Sequence, residues 1–297
     1  MLSDHGARAG SWRDHRLSAC DFLTIAEVER LIVDNLHRIR ALPWDVIVHI
    51  PRSGTAPAAI IASYMARPFC SVAEYCEGMG SSRKSETGIT ERVLLVDDLS
   101  RRGVQMRNAV NAIWAKRPGA QIVTLSIYRS KNLRGQSLES VPDMVLREIE
   151  HEFYVAPWFL WKNKRLLPVM ATDMDGVLCK DYARGEDYGA FLEGVHPKFR
   201  PFEVPVGWIV TGRREKYREQ TEEWLERHGF KFGKLLMFPD NHSRKHVAEW
   251  KARRYAKLRK ARLFVESCDK QAPIIARDSG KPVWCVDSSR GYNGNRI

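Results

Sequence analysis

Val93-Leu-Leu-Val-Asp97-Asp98-Leu-Ser100-Arg101-Arg102-Gly103-Val104 is the stretch on which the fold turns. Its first four residues are branched and apolar, the mark of a strand buried on both faces of a parallel sheet. Two carboxylates follow, and after Gly103 a helical pattern runs from about Val104 to Trp114. Strand, turn and helix in that order make one unit of an alternating α/β chain. In open α/β sheets, ligands bind at the carboxyl ends of strands, where Asp97 and Asp98 stand. Two adjacent acids repel unless a cation or hydroxyl groups relieve them. The helix start beyond them offers free N–H groups and a positive dipole end, which suit a phosphate. Acids for sugar hydroxyls beside a phosphate cradle are what a ribose 5-phosphate needs. An ordinary acidic N-cap turn would leave the same trace in the sequence.

Outward from this stretch the alternation continues. Thr24–Ile39 reads as a helix with Ile25, Val28, Leu31, Ile32 and Leu36 at helical spacing. Asp45–Ile50 is a β-branched strand, Pro51-Arg52-Ser53-Gly54 a turn, and Pro57–Met65 an Ala-rich helix. Arg92–Val96 and Gln121–Ile127 are the next strands. Residues 151–168 are aromatic-rich and read as a packed connector, with Trp158 and Trp161 as packing residues and a boundary near Asn163–Pro168. A second series follows: strands Val169–Thr172 and Trp208–Val210, helix Arg213–His228 stopped by Gly229, and helix Arg244–Arg259. Strand Leu263–Val265, helix Ala272–Ala276 and strand Val283–Val286 complete it. The expected architecture is α/β in two domains, 21–150 and 169–297, each a mainly parallel sheet flanked by helices. A polar segment, 1–20, precedes them.

The composition bounds the partners. The 297 residues suit about two domains. With 44% apolar and 28% charged residues, disorder and a coiled coil are excluded. The longest apolar runs, such as Ala58–Ala62, fall far short of the roughly 18 residues of a membrane span. The start of the chain is polar and resembles neither a signal nor a transit peptide. Six cysteines form no CxxC pair, so free thiols in a reducing cytoplasm are expected. The net charge of +12 favours an anionic partner. The basic residues are spread over both halves, and no recognition-helix, zinc-finger or RNA-binding pattern accompanies them, which argues against nucleic acid. Self-association is left open.

Ile50-Pro51-Arg52-Ser53-Gly54-Thr55 supplies a second anion loop after a neighbouring strand, with Gly54 for close backbone approach and Arg52 for charge. This loop and VLLVDDLSRRG together resemble type I phosphoribosyltransferases. The first is similar to that family's pyrophosphate loop and the second to its signature for 5-phosphoribosyl 1-pyrophosphate (PRPP). The resemblance implies PRPP as a partner. Asp97 and Asp98 would hold the ribose hydroxyls directly or through Mg²⁺. Ser100, Arg101, Arg102, Gly103 and Val104 would bind the 5-phosphate. Pro51, Arg52, Ser53, Gly54 and Thr55 would bind the diphosphate. The Gly-rich stretch between the loops matches the family's mobile catalytic loop, with Arg83 and Lys84 as lid cations. Members acting on purines commonly carry an acid and a threonine where this chain has Arg101 and Arg102. That departure points away from a nucleobase acceptor.

Val169-Met-Ala-Thr-Asp173-Met-Asp175-Gly is a strand ending in two acids spaced two apart. One can attack phosphorus while the other protonates the leaving group. The stretch resembles the haloacid dehalogenase (HAD) superfamily of phosphohydrolases. That resemblance implies Thr211 of WIVTGR as a phosphoryl contact and Lys251 as the neutralising cation, with Lys245 its rival. It makes Asp173, Asp175 and Glu266 the Mg²⁺ ligands and Asp269 a helper. The intervals between Asp173, Thr211 and Lys251 are too short for a folded cap domain. Only the loop Cys179–Glu203, or the neighbouring domain, would cover the site.

Joined, the halves imply a bifunctional enzyme. The first would move 5-phosphoribosyl from PRPP to an acceptor, with a sugar, polyol or glycan hydroxyl favoured. The second would remove the 5-phosphate. The alternatives are a nucleobase phosphoribosyltransferase with a nucleotide phosphatase, and a PRPP-sensing regulator with a HAD phosphatase.

Overall fold

The computed structural model describes residues 20–78, 91–131, 138–150, 154–183, 185 and 187–294. They fall into two compact units. One is Cys20–Pro168 with Phe202–Pro205; the other is Val169–Pro201 with the chain from Val206 onward. No helix among the described residues is long and apolar enough to cross a membrane.

In the first unit the chain runs β1 (Asp21–Phe22), α1 (Ile25–Asp34), α2 (Leu36–Arg40), β2 (Val46–His49), α3 (Thr55–Met65), β3 (Phe69–Ser71) and α4 (Val72–Cys76). It continues with β4 (Arg92–Ser100), α5 (Val104–Lys116), β5 (Gln121–Ser130), β6 (Met144–Ile149) and β7 (Tyr154–Val155). Five strands form one parallel sheet in the order β3-β2-β4-β5-β6. Side chains alternate across it, as the two-residue strand period requires. Ile47, Leu94 and Val96 join Val28, Ile32, Ala58 and Ile61 in one core. Val46, Val48, Val93 and Leu95 face Met106, Ala109 and Ile113 of α5 in the other. Both faces are therefore covered, and the unbroken apolar runs of β2 and β4 follow from it.

Several expectations need correction. The helix expected over Thr24–Ile39 is two helices, broken at Asn35, whose side-chain amide donates to the Leu31 carbonyl. The strand expected to stop at Val96 runs to Ser100, because β5 continues beside it and pairs Asp97 with Ser126 and Ser100 with Arg129. Asp97 and Asp98 are thus strand residues and not loop residues. The stretch 151–168 is no connector in its described part. Tyr154 and Val155 pair in parallel with Asp21 and Phe22, and the segment belongs to the first unit.

The second unit contains β8 (Met170–Thr172), α6 (Tyr188–Gly194), β9 (Val206–Arg214), α7 (Arg218–Arg227), β10 (Phe232–Phe238) and α8 (Val247–Lys257). Then come β11 (Leu263–Glu266), α9 (Ala272–Ser279), β12 (Val283–Cys285) and β13 (Arg290–Tyr292). The sheet order is β10-β9-β8-β11-β12-β13, parallel except for β13. The loop expected over Cys179–Glu203 carries α6, begun by Asp187, whose carboxylate accepts from the Ala190 N–H. The helix expected from Arg213 starts at Arg218. Arg213 stays in β9 because β10 supports that strand as far as Arg214.

The strand order positions the sites. In the first sheet β3 lies on one side of β2 and β4 on the other, so the connections reverse between β2 and β4. In the second they reverse between β8 and β11. Such reversal points open a crevice at the strand ends. In the first crevice Gly54 makes the fit: a Cβ there would meet the Val96 carbonyl oxygen at 2.6 Å and that of Ile50 at 2.8 Å. Gly54→Ala is accordingly expected to destabilise the first unit by roughly 1–3 kcal/mol in chemical denaturation. A substitution without effect would mean that the turn does not pack against β4 as described.

Candidate functional sites in the two units

At the first reversal point the turn 50–54 follows β2 and lies against β4. The Ile50 N–H donates to the Val96 carbonyl. Pro51 and Arg52 are exposed and joined by a cis peptide, Ser53 and Thr55 are half-buried, and Gly54 is buried. Asp97 and Asp98 are buried, at 5% and 8% exposure. Asp97 Oδ1 accepts from the Asp98 N–H at 3.0 Å and the Ser53 hydroxyl at 3.5 Å. No lysine or arginine pairs with either acid among the described residues. Burial, and for Asp97 the neighbouring charge of Asp98, therefore pushes both carboxyls above their ordinary range.

Gly54 and Gly103 occupy the N-cap positions of α3 and α5 and have no side chain with which to cap the first N–H groups. The α5 donors stay available to an anion, whereas in α3 the Thr55 N–H already donates to the Arg52 carbonyl and Pro57 has none. Gly103 has φ +78°, and a Cβ there would overlap the Ser140 carbonyl. Ser100, 4% exposed, holds a hydroxyl without a hydrogen-bond partner among the described residues. Val104 is the first residue of α5. Arg102 departs from expectation. Its guanidinium pairs with Glu139, which also holds Arg107 at 2.6 Å, so one carboxylate is shared by two cations and the cluster keeps a net positive charge. Arg83 and Lys84 lie outside the described residues.

The aromatic segment lies beside this site; the sequence offered Trp158 and Trp161 for packing or stacking but not Tyr154 or Phe159. Arg52 lies 5.8 Å from the Phe159 ring centroid. Trp158 turns a buried indole N–H toward Asp98 and works against the burial that raises that acid. Desolvation and the Asp98 charge push the Tyr154 hydroxyl up to about 12, while Arg101 opposes them. Trp161 stacks on Phe202 at 5.2 Å and is packing. The signal was the density of aromatic residues; the pairing of β7 with β1 that brings them to the acids is not visible in one sequence.

At the second reversal point Lys251 is 1% exposed and donates to Asp173 Oδ2 at 2.6 Å and Glu266 Oε2 at 2.7 Å. Asp173 Oδ1 accepts from the Met174 N–H at 2.8 Å, and Glu266 Oε1 from the Ser267 and Cys268 N–H groups. Burial lifts Glu266 to about 7 against the opposing pull of Lys251. Burial also disfavours the charged Lys251, but Asp173 and Glu266 together outweigh it and raise its pKa. Lys245 stands exposed in a short 3-10 turn. Asp269 is exposed and its acidity is set by Ser288 and Cys285.

Asp175 is held otherwise than expected. Arg213, fully buried, donates from Nη2 to Asp175 Oδ1 at 2.6 Å and from Nε to both oxygens at 3.0 and 3.1 Å. Cys179 adds its thiol at 3.3 Å. Neither oxygen is left to donate a proton in this arrangement. Thr211 is fully buried, and its hydroxyl accepts from the Arg213 N–H at 3.1 Å. Arg213 was quoted in WIVTGR but given no role; a residue placed at a helix start hides its inward direction.

The donor sets decide what Mg²⁺ could use. Mg²⁺ keeps several waters and takes one or two carboxylates plus substrate phosphates. Asp97 and Asp98 match that chemistry, and so do Asp173 with Glu266. Asp175, engaged by Arg213, drops out as a side-chain ligand. Accordingly no three His, Cys, Asp or Glu side chains gather as a cation site among the described residues.

No family model and no curated protein matches this chain. Solved structures are similar to part of it. A purine phosphoribosyltransferase from Pyrococcus horikoshii Ot3 is 21% identical, with 46% of this chain and 92% of that one covered and a TM-score of 0.36. A Helicobacter pylori xanthine-guanine-hypoxanthine phosphoribosyltransferase is 12% identical over 47% and 93%, with a TM-score of 0.35. A hypothetical protein from Neisseria gonorrhoeae with bound ppGpp is 14% identical over 48% and 91%, with a TM-score of 0.37.

Two outcomes follow from these charges. Because the folded pKa of Asp97 is raised, its contribution to stability is full below the ordinary carboxylate pKa of about 4 and is lost as pH climbs through the folded value. Asp97→Asn is therefore expected to raise Tm at pH 8 and to flatten the fall of Tm from pH 5 to 8. An unchanged slope in thermal scans would count against a buried, cation-free pair. Lys251→Met leaves Asp173 and Glu266 buried without their cation and is expected to cost roughly 3–5 kcal/mol in denaturation, with Lys251→Met/Glu266→Gln costing less than the single change.

Proposed function

We propose that the first unit transfers a 5-phosphoribosyl group from PRPP to a hydroxyl of a sugar, polyol or glycan, and that the second unit removes the 5-phosphate. The observation that carries this reading is the contrast between the acids. Asp97 and Asp98 are buried without a lysine or arginine partner among the described residues, between two glycine-started helices. Ribose hydroxyls can donate to those carboxylates, the α5 start and Ser100 take the 5-phosphate, and the turn 51–55 takes the diphosphate. As the bond from C1 to the diphosphate breaks, charge grows on the leaving oxygens near Arg52 and the α3 start. The acceptor oxygen bonds to C1, its proton is released, and pyrophosphate departs. Mg²⁺, held by Asp97 and Asp98 together with the substrate's own phosphates, would supply further charge neutralisation. A non-acidic Arg101 beside Tyr154 after the acid pair favours a hydroxyl acceptor over a purine.

In the second unit Asp173 attacks phosphorus to give an aspartyl phosphate, and the sugar oxygen leaves with a proton. Lys251 holds the attacking carboxylate and offsets its charge, and Thr211 contacts the phosphoryl group. Once the phosphate dianion competes for Arg213, Asp175 takes up a proton from water and passes it to the leaving sugar oxygen. Water then hydrolyses the aspartyl phosphate to inorganic phosphate. Mg²⁺ held by Asp173 and Glu266 would screen the phosphate oxygens.

The test is PRPP and Mg²⁺ with a panel of acceptors, followed by mass spectrometry. The full-length protein should yield a ribosylated acceptor, Asp173→Asn its 5-phosphorylated precursor, and Asp97→Asn neither. Ribosylated nucleobase alone, or no release of pyrophosphate with any acceptor, would overturn the reading.

A further inference from the structure

A chain of aromatic rings leads outward from Asp175, and the chemistry just described does not use it. The Arg213 guanidinium, held by Asp175, lies 5.7 Å from the Phe191 centroid. Phe191 is buried and stacks on Tyr188 at 5.9 Å with 22° between planes. Tyr188 meets Tyr182 edge-on at 5.1 Å and 85°, and Tyr217 at 5.1 Å and 66°. Tyr182 is 36% exposed, and Tyr188 and Tyr217 are half-buried, so the outer rings are not core. Tyr182 and Tyr188 come from the segment between β8 and β9, and Tyr217 from the turn after β9. Desolvation and the Asp175 charge push the Tyr188 hydroxyl up to about 12, which places that ring close to the acid.

We propose that Tyr182, Tyr188 and Tyr217 form a carbohydrate-binding corner that holds the sugar residue next to the one bearing the 5-phosphate while the phosphate is removed. It rests on the phosphatase reading of the second unit and names the substrate class of that site. Aromatic faces are apolar and electron-rich, and the C–H face of a sugar ring packs on them; the phenol hydroxyls at their rims can pair with sugar hydroxyls. The angles favour a sugar over a nucleobase. A flat base is gripped best in a slot between parallel rings. The Tyr188 ring stands at 85° to Tyr182 and 66° to Tyr217 and makes a corner with each, which suits a puckered ring with hydroxyls on its flank.

Two measurements on the full-length protein test this. The first compares phosphate release from a 5-phosphoribosyl disaccharide, from ribose 5-phosphate and from AMP, in wild type, Tyr182→Ala and Tyr182→Trp. In Tyr182→Ala, kcat/KM for the disaccharide should fall roughly tenfold more than for ribose 5-phosphate, and Tyr182→Trp should restore most of it. An equal fall on both substrates overturns the inference and leaves the phosphatase reading intact. AMP as the best substrate, with the largest loss in Tyr182→Ala, overturns it in favour of a base. The second measurement is saturation-transfer NMR with the phosphate-free ribosyl disaccharide. Transfer to sugar C–H protons that weakens in Tyr182→Ala supports the corner, even if no phosphate is released and the phosphatase reading fails. Transfer unaffected by Tyr182→Ala overturns it.

Discussion

A carboxylate taken out of water must be answered by something, and both units are organised around that constraint. Each parallel sheet reverses its strand order once, and each reversal leaves acids at buried strand ends, Asp97 and Asp98 in one and Asp173 and Glu266 in the other. The answers differ. In the second unit Lys251 reaches both acids and Arg213 reaches Asp175, so each of these three carboxylates touches a buried cation. In the first, the described residues offer the Ser53 hydroxyl, backbone N–H groups and the Trp158 indole, and no lysine or arginine. A site whose acids already touch cations is ready for chemistry on a ligand that brings its own charge. A site left in debt for a partner is one that a ligand rich in hydroxyls or carrying a metal can complete.

The neighbouring elements follow from those demands. Gly54 and Gly103 start the two helices that point at the first crevice, and each is there because a Cβ would strike backbone. Gly176 does the same in the second unit, where a Cβ would lie 2.5 Å from Ser267. Ser267 in turn donates to the Asp175 carbonyl, which ties the β11 end to the Asp173–Asp175 turn. The close approach of backbones that these glycines permit keeps the acids buried, and the burial makes the acids costly without a partner.

Much of this was legible from residue order. Unbroken runs such as Val93–Val96 identify strands covered on both faces, and acids directly after them identify ligand ends. Strand length was not legible, because β4 and β9 extend only as far as β5 and β10 accompany them. Short strands at sheet edges, such as Phe69–Ser71 and Arg290–Tyr292, are too brief for a periodicity to register. The ion pairs were the least legible. Arg213 and Asp175 are far apart in the chain, and nothing local in either distinguishes a buried partner from a solvated one. Arg102 and Glu139 show the same blindness: a candidate phosphate cation proves to share one carboxylate with Arg107. Trp158 and Tyr154 were read as part of a connector because the parallel pairing of Tyr154 with Asp21 spans almost the whole first unit.

On the proposed reading the two crevices are joined through the substrate and need no shared surface. The 5-phosphate is the handle by which the first site would grip a pentose, through Ser100 and the α5 start. Once Asp173 has removed that phosphate, the product lacks the group that those N–H donors recognise. Rebinding for the reverse transfer then costs the whole of that anion contact, and the equilibrium of the first step is pulled forward without any change in its catalytic residues. The same logic explains why the second site has its cations built in. Its incoming phosphate arrives attached to whatever acceptor the first site has used, so the part of the substrate common to every turnover is the phosphate and the pentose. Lys251, Arg213 and Thr211 serve that common part, and discrimination among acceptors is left to the surface beyond Asp175.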